Sequence, residues 1–184
     1  MLVADEVAEP LRFVSDRAGR LVFPAPGAIL AAEGWVMFVP EELPQGDELQ
    51  LMLACVEIDS GDEACDRWRA YHGESRAARW AAGEIVGAKM AGQVVDHEAL
   101  ATPDRLRGDE PRLCKMLNKD RGVLRRAALR VSGVDIPEPV AVGVDAGGID
   151  VRARFGVVRV PFEAEARDAE EAERMIGALL GGGP

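Results

Sequence analysis

The last third of the chain narrows most sharply what it can fold into. Short β-rich runs at 139–144, 149–154 and 157–160 stand between turn signals at 145–148 and 155–156, the pattern of a tight antiparallel meander. The segment before them, 113–131, repeats its apolar residues at a helical period. The one after, 166–180, opens with acidic residues that suit the positive end of a helix. The order predicts a helix, three strands and a closing helix.

The first half reads as mostly β. Residues 11–23 hold two β-rich runs around a hairpin signal at 16–19. Pro24, Pro26 and Gly27 then interrupt pairing. Trp35–Val39 and Leu49–Ile58 are nearly continuous apolar runs separated by a polar stretch with Pro44 and Gly46. Such runs suit strands buried on two faces, as in a small closed barrel. Asp62 offers a cap for a helix over 63–72, stopped by Gly73. Strand follows at 82–95, where Gly83, Gly87 and Gly92 mark bends or close backbone approach. Residues 101–111, with Pro103, Pro111 and several charges, read as a linker between a domain at 1–100 and another at 112–184, which ends in a short flexible tail from 181.

Composition excludes several classes. The 184 residues carry a net charge of −10, which argues against nucleic acid as a principal partner, because phosphate binding needs a cationic footprint. No run approaches the roughly 18 apolar residues of a membrane-crossing helix, and residues 1–6 lack the pattern of a signal peptide. Cys55, Cys65 and Cys114 fit neither a zinc knuckle nor a redox pair. They are expected as reduced core residues of a cytoplasmic protein. Ser15, Ser60, Ser75 and Ser132 stand in no nucleophile motif, and no glycine-rich phosphate loop is present.

Three separated motifs carry a family likeness: Leu117-Asn-Lys-Asp-Arg121, Val142-Gly-Val-Asp-Ala-Gly-Gly-Ile-Asp-Val151, and Val158-Arg-Val-Pro-Phe162 before the last helix. Together they resemble the C-terminal α/β domain of the haem-utilisation split-barrel proteins, a flavin- and haem-binding family. The domain also occurs in the plant protein that binds glutamyl-tRNA reductase. The resemblance implies an α+β fold, a degenerate split β-barrel followed by an α-β-β-β-α domain, and a homodimer built through the barrels. Haem and FMN are the cofactors it implies, and a cofactor-free state is the third option. The family's helix reads Met-Asn-x-Asp-His, and in haem-binding members that His can ligate iron. Here Arg121 takes its place. A protonated guanidinium has no lone pair to give, so ligation at 121 does not carry over, although Arg121 suits a propionate or another carboxylate.

The residues offer further candidates. His72 could ligate iron or act as a general base; Trp68, one turn earlier, shares its side of the helix. His72, Trp68, Lys119 and Arg121 form the cofactor-binding set, and His72 is the metal ligand within it. His97 reads as a turn residue. Trp35, Trp68 and Trp80 are either ring-stacking platforms or core and interface anchors. On a continuous helix over 113–131, Asp120 falls among the apolar positions, so Asp120 and Asn118 are expected as buried polar groups, satisfied by a neighbouring backbone or an Arg. Arg112, Lys115, Lys119, Arg126 and Arg130 gather on an adjacent stripe, either a solvated face or a docking surface for an anionic partner. Three functions stay open: a haem- or tetrapyrrole-associated binding or regulatory protein, which could act on a haem-metabolism protein; a flavin- or haem-dependent oxidoreductase; and a cofactor-free dimeric interaction module.

Overall fold

A computed structural model of the chain describes residues 2–4, 7–25, 27–32, 34–39, 48–76, 79–96, 100 and 104–181. Pro26, the stretch around Pro44 and Gly46, His97, residues 101–103 of the expected linker, and 182–184 of the tail lie outside the described residues. The chain divides into two compact units, Met1–Pro103 and Asp104–Pro184.

The first unit runs β1 (Leu2–Ala4), β2 (Val7–Glu9), β3 (Val14–Ser15), β4 (Leu21–Pro24), α1 (Gly27–Leu30), β5 (Trp35–Val39), β6 (Leu49–Ile58), α2 (Glu63–His72), β7 (Trp80–Met90) and β8 (Gln93–Val95). Its strands form one antiparallel sheet in the order β2-β1-β5-β6-β7-β4-β3, with β8 paired to β7. The sheet curls into a half-barrel, so the α+β fold is the degenerate split barrel expected. β1 and β2, which sequence patterning does not announce, supply its front. β7 is the shared strand. One side pairs with β6 along its length, while the other pairs with β4 at 80–83 and with β8 at 88–90. A bulge at Val86 marks the changeover: Met52 faces Gly87 and Leu53 faces Ile85.

Side-chain alternation fills the concave side. Leu51 and Leu53 of β6 join Leu2, Leu21, Phe23, Met37, Ala81 and Ala88 in one core. Burial of β6 on two faces does not occur: Met52, Ala54 and Val56, on the alternate side, are exposed, because α2 covers only the part of that face around Val14, Val22, Trp80 and Ala82. Gly87 leaves room for Met52 to lie flat on the sheet, since a Cβ there would stand 2.2 Å from the Met52 methyl carbon.

The second unit runs α3 (Glu110–Leu117), α4 (Arg121–Ser132), β9 (Val140–Asp145), β10 (Gly148–Ala153), β11 (Gly156–Pro161) and α5 (Ala169–Gly181). The meander forms a three-stranded sheet in the order β11-β10-β9. Gly148 holds φ +153°, and a Cβ there would meet the Val160 carbonyl oxygen at 2.4 Å; only glycine lets the hairpin close this tightly. The helices pack on one sheet face around Leu113, Leu117, Leu124, Ile149, Val151 and Ile176. Residues 104–111 contribute Leu106 to this core and Glu110 to the first turn of α3.

The single helix expected over 113–131 is two. Asp120 leaves the helical region at φ −132°, and its carboxylate accepts from the Val123 N–H at 3.0 Å, capping α4. Asp120 is therefore exposed and not the buried polar group expected. The cap needs an extended backbone at 120, which ends one helix and starts another. Helical phase is lost at this point, and Val131, the last apolar residue of the 113–131 run, is exposed.

Candidate functional site

The candidate ligand His72 ends α2. That helix forms where Asp62 can cap it, accepting from the Ala64 N–H at 2.8 Å, with Glu63 and Asp66 in its first turn. Gly73 stops it at φ +88°, its N–H reaching the Arg69 carbonyl. Cys65, Trp68 and His72 fall on one side, as their spacing requires. Cys65 and Trp68 are buried against Trp80 and Ala82. Trp68 meets Trp80 edge-on at 5.4 Å and the His72 ring at 4.9 Å, and its indole N–H donates to the Arg12 carbonyl at 2.8 Å. Trp68 is thus a core anchor that also backs the imidazole.

His72 Nε2 lies 3.2 Å from the Phe13 carbonyl oxygen. A carbonyl can only accept, so Nε2 carries the proton, and a neutral ring keeps its lone pair on Nδ1. Burial pushes the imidazole below its ordinary value; the Phe13 bond pulls it upward, and the Arg12 cation pushes it down again. Successive turns of α2 therefore donate ring N–H groups to adjacent carbonyls of 12 and 13. No group of three or more His, Cys, Asp or Glu side chains is placed to hold a metal ion among the described residues.

Of the other cofactor candidates, Lys119 and Arg121 belong to the second unit and are exposed. Arg121 opens α4, where a cation opposes the helix dipole. The basic stripe does not survive the break at 118–120 as one continuous line. Arg112 is held by Asp109 and Glu173, and Arg130 donates to the Leu179 carbonyl. Lys115, Lys119 and Arg126 are exposed and make no ion pair among the described residues.

Asn118 is half-buried. Its amide donates to the Ala141 carbonyl and accepts from the Ala141 N–H, both at 2.9 Å. Glu110, which sequence reasoning missed, is buried on α3 and accepts from the Val144 N–H at 3.3 Å. The family-like hairpin holds a second missed cluster. Arg159 donates to Asp145 at 2.8 Å through Nη1 and to Asp150 at 3.0 Å. Asp150 faces Arg159 directly across β10 and β11, a cross-strand pair of opposite charge that the strand register alone would have revealed. Burial raises the Asp145 carboxyl, but Arg159 and the N–H groups of Gly147 and Gly148 outweigh it and hold the group below its usual range. The motif's carboxylates thus neutralise the motif's arginine.

No protein-family model matches the sequence, and no curated protein matches it. Solved structures do. A protein of unknown function from Agrobacterium tumefaciens superposes with a TM-score of 0.71 at 16% identity, covering 97% of this chain and 88% of that one. A haem-binding protein from Mycobacterium smegmatis gives a TM-score of 0.40 at 20% identity, over 89% of this chain and 81% of the other. The first is a likeness of fold. No described helix is long and apolar enough to cross a membrane.

Proposed function

We propose that the chain is a haem- or tetrapyrrole-associated binding protein in which His72 would supply a nitrogen ligand to the iron. The observation that carries this reading is the imidazole's setting. It is held neutral, backed by Trp68, and fixed in one tautomer by donation to the Phe13 carbonyl. Ligand histidines are held in this way, with the second nitrogen donating to a carbonyl or carboxylate so that the first keeps its lone pair aimed. A neutral imidazole nitrogen would suit a haem iron, which a protonated guanidinium such as that of Arg121 cannot ligate. Lys119 and Arg121, on the second unit, are proposed as cations for the acidic groups of a partner in haem metabolism. The motif likeness of 117–162 to haem-utilisation proteins points the same way. Haem, when bound, supplies the iron chemistry; this chain supplies position and electrostatics.

Titrating haemin into the full chain tests the reading. A Soret band that appears in the wild type and shifts or vanishes in His72→Ala is expected. A wild type with no Soret band, or a His72→Ala spectrum identical to it, would sink the proposal. Flavin released from the purified protein would favour the oxidoreductase instead.

One observation favours a second reading, a cofactor-free interaction module: Lys115, Lys119 and Arg126 point to solvent without ion-pair partners among the described residues. Neutral replacement of the three should weaken an anionic partner and flatten its salt dependence. A homodimer is proposed under either reading.

A further inference from the structure

The two edges of the second sheet are finished differently. On β9 the outward backbone groups are met by side chains of α3 and its C-cap: Asn118 takes both groups of Ala141, and Glu110 takes the Val144 N–H. The outer edge of β11 has no such cover. Ala153 faces Gly156 across a two-residue turn, which makes that pair hydrogen-bonded and fixes the phase of the ladder. The Phe162 N–H reaching the Gly147 carbonyl at 2.9 Å agrees with that phase. Residues 156, 158 and 160 therefore spend their backbone groups on β10. Val157 and Arg159 each turn an N–H and a C=O away from it, and Pro161 turns out a carbonyl alone. No described residue bonds to these groups, and Val157, Arg159 and Pro161 are all exposed.

We propose that this edge pairs antiparallel with the same edge of a second copy of the chain, about a two-fold axis at Val158, joining two three-stranded sheets into one of six. Three features select a second copy. Antiparallel pairing centred on Val158 sets Val157 against Arg159 of the second copy and the reverse, so each free N–H finds a free carbonyl in four reciprocal bonds. Pro161, which has no N–H, falls opposite the turn residue Phe155 of the other copy, past the end of its strand, where the missing donor leaves no gap. The turn before the strand carries Arg154, which also pairs with Glu138, and the chain just past the strand carries Glu163 and Glu165. Antiparallel apposition lays the Arg154 end of each strand beside the other copy's acidic end; a parallel arrangement would put like beside like. Phe155 and Val157 are exposed apolar side chains beside this seam.

The test is amide hydrogen exchange on the full chain over a range of concentrations, beside sedimentation of the same samples. The Val157 and Arg159 amides should gain protection in step with the dimer fraction. Val157→Pro removes one outward donor per copy, two of the four bonds, from an edge position that tolerates proline. It should raise the dimer dissociation constant about tenfold or more. Val157→Lys, which sets a like charge against Arg159 and leaves the backbone intact, should do the same. Amides that exchange freely while a dimer forms would place self-association elsewhere, as on the barrels, and overturn the proposal. So would protection that ignores concentration, protection that requires a different protein, or unaltered dimerisation in both variants.

Discussion

The side-chain amide of Asn118 lies along the backbone of Ala141 as an additional strand residue would, giving one hydrogen bond and taking one, each 2.9 Å long. Together with Glu110 on Val144 it closes the edge of β9. A helix terminus, rather than another strand, thus ends this side of the sheet.

Replacing Asn118 with Ala strands the N–H and C=O of Ala141, a buried residue. It should cost about 1–3 kcal/mol, read from the urea midpoint of the second unit. Asn118→Asp should be no better at neutral pH, because a carboxylate can accept from Ala141 but sets negative oxygen against its carbonyl. An unchanged midpoint in Asn118→Ala would show that the clamp is decorative.

His72 makes stability depend on pH in a stated direction. Its folded value lies below the ordinary one of about 6.5, so the unfolded chain binds the proton more readily. The contribution is complete above about pH 6.5 and is lost as pH falls through the lower, folded value. His72→Gln keeps an N–H donor and cannot titrate. Between pH 7 and 5 the wild type should lose stability relative to this variant, and parallel curves would remove the assignment.

Asp145 behaves as a depressed carboxylate held by Arg159. Its contribution is present above the unfolded value of about 3.9 and fades as pH falls through the folded one. Arg159→Met should cost about 1 kcal/mol at pH 7, a modest figure because the cluster is half exposed. The cost should shrink toward zero near pH 2. Denaturant melts at both values decide the matter, and a cost that stays constant with pH would point to lost packing instead.

Two thiols are expected to be inert in the native state. Burial pushes Cys55 up to about 11, and burial, helped by nearby acidic residues, pushes Cys65 up to about 11. At pH 8 only about one molecule in a thousand carries either thiolate. Ellman's reagent should modify both only once urea unfolds the first unit. Rapid native reaction at either position would contradict this burial.

Much of the fold could be read from residues whose signal is local. Asp62 and Gly73 bracket α2 as expected, and Gly148 and Gly156 sit where the meander turns. Both signals depend on one residue's backbone preference, so they survive without tertiary context. The break at Asn118–Asp120 was hidden because apolar residues recur at helical spacing on either side of it. Two strong capping residues, Asn118 and Asp120, were the cue to a boundary, and the apolar period outweighed them. The Arg159 cluster and the role of Glu110 depend on strand register and on which helix faces β9, and neither is encoded at short range. The likeness in the motif residues marked the hairpin but not that its charges serve one another.

The divided partnership of β7 means that this strand need not come apart as a whole. Residues 80–83 are tied to β4 and to the core beneath α2, residues 88–90 to the β8 hairpin, and the Val86 bulge separates the two. The hairpin end can fray while the other holds, so one continuous element contributes to two separate opening events of unequal free energy.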